Sequence, residues 1–137
     1  MFTRIMVPVD LTHADRLAKA LTVAGDLAAH YGARLVFVGV TAALPSGIAR
    51  TPQEYGEKLD AFAKARGLAA GVPAEAHAVT THDPAVDLDP ALVAAVSETG
   101  ADLVVMASHV PGLADHFWPS NGGTIAARAK VSVLLVR

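Results

Sequence analysis

The chain has 137 residues, no cysteine and a formal net charge of −2, from 11 basic and 13 acidic residues. This length fits one domain, residues 1–137, that can bury its own core. The missing cysteine excludes disulfides, thiolate metal sites and cysteine catalysis. The scattered charges form no basic stripe for nucleic acid. Although 53% of the residues are hydrophobic, no apolar run approaches the roughly 20 residues of a membrane-spanning helix. With no signal-peptide pattern at the start, we expect a cytoplasmic protein.

Five short apolar runs predict buried strands. They are Ile5–Val9, Leu35–Val40, Ala74–Val79, Leu103–Ala107 and Val131–Val136. Four of them are rich in β-branched residues and have the length of strands. The third run is the weak one, because it alternates around Glu75 and His77.

Helical patterns separate these runs. The first helix is predicted to begin near Thr12, with Asp15 completing a capping box, and to end at Gly32. The second has Thr51 as N-cap, followed by proline and a capping-box glutamate, and ends at Gly71. Its apolar face comprises Tyr55, Leu59, Phe62 and Ala69.

The third helix is predicted to begin at Asp89–Pro90 and to end at Gly100, and the last covers about residues 121–129. The resulting alternation of strands and helices predicts an α/β fold: a five-stranded parallel sheet with helices on both faces. Right-handed crossovers allow the strand order 3-2-1-4-5 and also 2-1-3-4-5.

Ligands of open α/β sheets collect beyond the carboxyl ends of the strands, where the winding reverses. In the order 3-2-1-4-5 that point lies between strands one and four, which brings Asp10, Ser108 and His109 to one crevice. Asp10 there has two interpretations of about equal weight. It contacts the base or ribose of a nucleotide, or it caps the first helix.

A second candidate segment, Pro119-Ser120-Asn121-Gly122-Gly123-Thr124, precedes the last helix. Small residues at a helix start let backbone N–H groups approach a phosphate. The other interpretation is a Ser/Asn N-cap with glycines in a loop, and on the residues alone it is favoured.

Several segments together resemble the universal stress protein family. They are Pro8-Val9-Asp10, Val38-Gly39-Val40, Ala101–His109 and Ser132–Arg137. The resemblance covers essentially the whole chain. It implies an adenine-nucleotide-binding fold with strand order 3-2-1-4-5. It also implies a homodimer in which the C-terminal strands, here Val131–Val136, pair across a two-fold axis.

The sequence departs from the family's phosphate-binding loop. Ala107, Val110 and Pro119 stand where the loop has glycines, and only Ser120 is kept. Valine and proline do not share glycine's conformational freedom, and proline also lacks an N–H donor.

Two features of the sequence favour nucleotide binding despite the altered loop. Ser108-His109-Val110-Pro111 followed by Ser120-Asn121 resembles a short-chain branch of the family that includes nucleotide binders. Gly122 and Gly123 could also restore backbone access one turn later.

By this resemblance Pro8, Asp10 and Val40 surround the base, Met106 and Ala107 line the ribose side, and Ser120 and Asn121 face the phosphates. Core packing is the alternative role for Val40 and Met106. The complete set of candidate binding residues is Pro8, Val9, Asp10, Val40, Met106, Ala107, Ser108, His109, Ser120, Asn121 and Gly122.

No catalytic or metal-binding pattern is found. The six histidines form no ligand-spaced cluster, and neither a G-x-S-x-G elbow nor a Walker loop occurs. The Phe117-Trp118 pair is either a lid or partner-binding anchor, or a plug of apolar surface under the loop or at the dimer contact, and the second interpretation is slightly favoured.

The resulting hypothesis is a homodimeric stress-response protein that binds ATP or AMP, with Mg²⁺ only alongside ATP, and acts as a signalling or protective module. The alternative is a dimeric interaction module with an empty crevice. Slow ATP hydrolysis is a third, weaker interpretation. The sequence does not identify the protein partners, and it indicates neither nucleic acid nor membrane.

Overall fold

The computed structural model describes residues 1–108 and 122–137. Its strands are β1 (Arg4–Pro8), β2 (Arg34–Ala42), β3 (Ala74–Thr81), β4 (Leu103–Ala107) and β5 (Ser132–Val136). Its α-helices are α1 (Ala18–Tyr31), α2 (Pro52–Ala70), α3 (Pro84–Thr99) and α4 (Gly122–Arg128). Each predicted run therefore forms a strand, and its ends differ from the prediction by at most two residues.

The five strands form one parallel sheet in the order β3-β2-β1-β4-β5, which confirms the fold class and strand order that the resemblance implies. β1 pairs with β2 from Arg4↔Arg34 to Pro8↔Val38. On its other side β1 pairs with β4 only at Ile5↔Leu103 and Met6↔Val104. The two central strands thus separate toward their carboxyl ends, at the reversal of winding.

Helices cover both faces of the sheet. α1 and α2 pack together on one face, while α3 and α4 pack together on the other. The central strands are consequently buried on both sides, as their uninterrupted apolar sequences require. The core includes Ile5, Met6, Phe37 and Val104, each at most 1% exposed.

The start of the first helix differs from the prediction. Asp10, not Thr12, is the N-cap, and a 3-10 helix over Leu11–Leu17 comes before α1. The Asp10 carboxylate accepts a hydrogen bond from the Thr12 N–H. That carboxylate satisfies one of the free N–H groups of the first turn, so the N-cap lies two residues before Thr12, whereas α1 itself begins at Ala18.

The third helix also begins earlier than predicted, at Pro84 and not at Asp89–Pro90. Two Asp-Pro pairs compete for the N-terminus, and the first one is capped in both directions. Asp83 accepts from the Ala85 N–H at 3.1 Å, and the Asp83 N–H donates to Asp87 Oδ2 at 3.1 Å. Pro90 therefore lies inside the helix.

The second helix agrees with the prediction at both ends. Thr51 caps it by accepting from the Glu54 N–H at 3.0 Å, and Gly71 ends it in the left-handed conformation at φ 70°. Within the predicted apolar face, however, Ala69 is exposed. Ala63 and Gly67 take the buried positions of the C-terminal half instead.

The amino end of the sheet is held by polar contacts. Both oxygens of Asp102 are used: Oδ2 accepts from the Thr3 N–H and hydroxyl at 2.9 and 3.0 Å, and Oδ1 accepts from the Arg4 N–H at 3.1 Å. Arg4 also lies 3.2 Å from Glu75, which lies 3.8 Å from Arg34. These contacts join β1 to the start of β4 and to β3.

Within residues 1–108 and 122–137, no helix has both the length and the apolar character needed to cross a membrane.

Candidate functional site

A cavity of about 230 Å³ lies beyond the carboxyl ends of β1 and β2. α2 borders it from one face of the sheet and α3 from the other. The residues that line it are Val9, Asp10, Thr12, Val40, Thr41, Ala42, Ser46, Ile48, Tyr55, Pro84 and Leu88. Among these described residues, Asp10 has the one charged side chain. The cavity is therefore apolar with a single carboxylate, a combination typical of ligand sites that fix orientation with few polar groups.

Asp10 is held in place by its own helix turn. Its Oδ1 accepts from the Thr12 N–H at 3.0 Å, and its Oδ2 lies 2.8 Å from His13 Nδ1. The capping interpretation is thus confirmed. It does not remove the other interpretation, because each carboxylate oxygen has a second lone pair and Asp10 still borders the cavity.

Tyr55 contributes a buried phenol to the same cavity. It lies in the first turn of α2 and is only 4% exposed. Two causes raise the pKa of Tyr55 far above its ordinary value. Burial is the larger cause, and the negative charge of Asp10 is the smaller. The phenol consequently stays protonated and can donate a hydrogen bond at neutral pH.

Gly39 makes room for this phenol. A Cβ at that position of β2 would lie 2.2 Å from the Tyr55 hydroxyl oxygen, closer than any side chain permits. The glycine is therefore required by the close approach of the tyrosine to the strand backbone.

The loop from β2 to α2 forms a further wall. The Ser46 N–H donates to the Ala49 carbonyl at 2.8 Å, and the Ser46 hydroxyl contacts the same turn. Lys58 of α2 donates to the Ile48 carbonyl. These bonds fix Ser46 and Ile48 against the cavity in the absence of regular structure.

Of the predicted binding residues, the structure brings Val9, Asp10 and Val40 together at this cavity. Pro8 is buried at the end of β1. Val40 is half-buried, as a residue at the wall of a cavity would be.

The candidates on β4 and α4 are placed differently. Met106 and Ala107 are buried in the sheet beside β5. The Ser108 N–H donates to the Val136 carbonyl at 2.9 Å. Gly122 packs against Leu135, since a Cβ there would lie 2.1 Å from that side chain. None of these four is among the residues that line the cavity.

The remaining candidates, His109, Ser120 and Asn121, lie outside the described residues. So do Val110 and Pro119 of the altered loop, and the Phe117-Trp118 pair.

Sequence reasoning missed most of the remaining wall of the cavity. It assigned Tyr55 to the packing face of its helix, because a buried aromatic residue at helical spacing is typical of a core. It missed Pro84 and Leu88 because it placed the start of α3 too late. The Asp83-Pro84 pair, which has the same form as Asp89-Pro90, was a signal that could have corrected this.

The geometry also bears on metal chemistry. Over the described ranges 1–108 and 122–137, no three His, Cys, Asp or Glu side chains are grouped closely enough to hold a metal ion.

Solved structures share this fold over nearly the whole chain. A universal stress protein in complex with cAMP has a TM-score of 0.71 and 24% identity, over 99% of this chain and 97% of that one. A member of the universal stress protein family from Burkholderia pseudomallei has a TM-score of 0.68 and 26% identity, over 98% and 95%. The universal stress protein from Archaeoglobus fulgidus in complex with dAMP has a TM-score of 0.64 and 18% identity, over 98% of each chain.

No curated protein sequence matches the chain. The model of the universal stress protein family, in contrast, matches residues 1–137. The match extends over every strand and helix described above, and it agrees with the resemblance seen in the sequence. The chain belongs to the universal stress protein family.

Proposed function

We propose that this protein binds an adenine nucleotide, AMP or ATP, with the base in the cavity between α2 and α3 and with Asp10 in contact with it. The observation that carries the proposal is the cavity itself, which is apolar, lies beyond the carboxyl ends of β1 and β2 and contains one fixed carboxylate among its described lining residues. Complexes of two family members with cAMP and with dAMP support an adenine ligand.

The size of the cavity suits a base and not a whole nucleotide. Its volume of about 230 Å³ is below the roughly 300–1,000 Å³ of pockets that enclose drug-sized ligands. Among residues 1–108 and 122–137, its lining contains a carboxylate and no lysine or arginine. Phosphates would be repelled there, so they lie outside this cavity in the proposed complex.

The proposed phosphate side comprises Ser108, His109, Ser120, Asn121 and Gly122, with Met106 and Ala107 near the ribose. A bound triphosphate would bring Mg²⁺ with it, whereas AMP would not need the ion. Binding of this kind fits a signalling or protective role in which the nucleotide regulates association.

Isothermal titration calorimetry with AMP, ATP and cAMP tests the proposal. Asp10→Ala should weaken AMP binding by about 1–3 kcal/mol, because the base loses a charged hydrogen-bond partner. Asp15→Ala is the matched control, since it removes an exposed carboxylate from the same 3-10 helix. Asp10→Asn keeps an N-cap and separates loss of the cap from loss of the charge.

The absence of binding heat with all three nucleotides at high micromolar concentration would overturn the proposal. It would favour the alternative, an interaction module with an empty crevice. That alternative is motivated by the side chains that replace the family's glycines at positions 107, 110 and 119.

We also propose that two copies associate through β5. Within the part of the chain that the structure describes, β5 has one neighbour, β4, and forms an edge of the sheet. Leu134 and Leu135 on it are 39% and 38% exposed. Apolar side chains on an open edge strand are a liability unless a partner covers them.

Light scattering on Leu134→Asp tests this interface, with Leu68→Asp as control. Leu68 is 85% exposed on α2, which packs on β2 and β3, away from β5. We expect a dimer for the control and a monomer for Leu134→Asp. A Leu134→Asp protein that is folded and dimeric would show that the interface lies elsewhere.

A further inference from the structure

Tyr55 has a polar group that packing does not explain. Its ring is buried, yet among residues 1–108 and 122–137 its hydroxyl has no hydrogen-bond partner. The oxygen itself keeps some solvent-accessible surface although the ring is buried, and tyrosine hydroxyls on buried rings usually have a partner. The side chain borders the proposed base cavity, so the unused hydroxyl is available to whatever occupies that cavity.

The position of this hydroxyl is fixed. It lies directly above the Cα of Gly39, in space that any other residue would fill with a Cβ. A phenylalanine would fill the same apolar volume. The strand therefore contains a glycine, at a cost in backbone entropy, at the place where it admits the hydroxyl and the adjoining edge of the ring.

The chemistry of the hydroxyl is also fixed. Because the phenol stays protonated beside the Asp10 carboxylate, it can donate a hydrogen bond, while Asp10 can only accept one. No hydrogen bond joins the two. The cavity thus presents one donor and one acceptor that are not paired with each other.

Adenine offers the complementary pair, an exocyclic amine that donates and ring nitrogens that accept. Both oxygens of Asp10 accept one bond within their own helix turn, and each keeps a second lone pair for a ligand. An acceptor next to a separate donor therefore matches the amine and a ring nitrogen of adenine.

We propose that the Tyr55 hydroxyl is a specificity-determining group that donates a hydrogen bond to an unprotonated ring nitrogen of the base, while Asp10 accepts from the exocyclic amine. This inference rests on the proposed nucleotide binding. It adds a named donor, and it assigns Gly39 the role of admitting that donor to the site.

The test is calorimetry with AMP and its 1-deaza, 3-deaza and 7-deaza analogues, on wild type, Tyr55→Phe and Tyr31→Phe. Tyr31 is the matched control, because its ring packs against Phe2 and it does not border the cavity. Tyr55→Phe should weaken AMP binding by about three- to tenfold, the range of one hydrogen bond, and Tyr31→Phe should leave it unchanged.

The analogues identify the acceptor. For one of the three, wild type and Tyr55→Phe should bind equally, because the ring nitrogen that the hydroxyl contacts is missing. Wild type should also bind that analogue about three- to tenfold more weakly than AMP, which tests the inference without any variant.

Equal AMP affinity of wild type and Tyr55→Phe would overturn the inference. So would an equal penalty of Tyr55→Phe for AMP and all three analogues, since that result would indicate a general change of shape. If wild type binds none of the four ligands, the proposed function itself fails. That outcome is distinct, because it is read from the wild-type protein alone.

Discussion

The two ends of the sheet differ in whether their polar side chains are hydrogen-bonded to each other or to backbone. At the amino end, Asp102, Arg4 and Glu75 are paired with backbone or with each other. At the carboxyl end, Tyr55 and Asp10 border one cavity without a bond between them. The first arrangement stabilises the strands, whereas the second leaves hydrogen-bonding capacity for a ligand.

The pKa values of the two ends show the same contrast. Burial alone would raise the pKa of Asp102, but the hydrogen bonds from Thr3 and Arg4 outweigh it and lower the pKa. At Tyr55 no hydrogen bond from the described residues opposes burial, and the nearby Asp10 charge adds to the effect of burial, so the pKa rises. The charged form is stabilised at one end and the neutral form at the other.

The largest expected effect comes from filling the space above Gly39. Gly39→Ala should lower the free energy of unfolding by about 1–3 kcal/mol through overpacking, because the new Cβ meets the buried Tyr55 ring. It should also weaken AMP binding by moving the hydroxyl. Chemical denaturation and calorimetry measure the two effects.

Gly56→Ala is the control for that substitution. Gly56 lies in α2 with nothing within 4 Å of an added Cβ, so alanine there should stabilise the helix by about 0.5–1 kcal/mol. If Gly39→Ala were as stable as wild type and bound AMP equally well, the assigned role of Gly39 would be wrong.

A smaller effect is expected at the amino end. Asp102→Ala should cost about 1–2 kcal/mol of stability, since three hydrogen bonds to an accessible carboxylate are lost, and should leave AMP affinity unchanged. Asp60→Ala, which removes an exposed pair with Lys64, should cost less than about 0.5 kcal/mol. A loss of AMP binding in Asp102→Ala would contradict the separation of the two ends.

The lowered pKa of Asp102 also predicts an acid dependence. The carboxylate contributes stability that is fully present above its ordinary pKa of 3.8. That contribution is lost as pH falls through the lower folded-state pKa. Denaturation curves below pH 4 should therefore converge for wild type and Asp102→Ala. A constant difference down to pH 2 would show that Asp102 acts through packing alone.

At neutral pH the smallest effect on stability belongs to Tyr55, because it appears only in alkaline solution. The unfolded chain releases this proton near pH 10, the ordinary pKa, while the folded protein retains it. Tyr55 thus contributes stability that is fully present below pH 10 and declines as pH rises further. The decline approaches about 1.4 kcal/mol per pH unit.

Tyr55→Phe should remove this part of the decline above pH 10, as followed by denaturation at increasing pH. Tyr31→Phe serves as the control for loss of a phenol elsewhere. Identical slopes for wild type and Tyr55→Phe would show that the phenol ionises freely in the folded protein.

The sequence predicts the sheet better than the site. Both ends of β4 are predicted correctly, because Asp102 and Ser108 lie on either side of a wholly apolar run. The family resemblance selected the correct one of two possible strand orders. α3 was misplaced because two Asp-Pro pairs carry the same signal and only tertiary contacts decide between them. Tyr55 was read as a core residue because helical periodicity shows which face is buried and not what each buried oxygen contacts.

A crystal structure grown with AMP tests the central claim most directly. We expect the base in the cavity beside Val40, with its amine within hydrogen-bond distance of Asp10 and a ring nitrogen within hydrogen-bond distance of the Tyr55 hydroxyl. Nucleotide bound elsewhere on the protein, with this cavity empty, would contradict the assignment of the carboxyl end as the binding end.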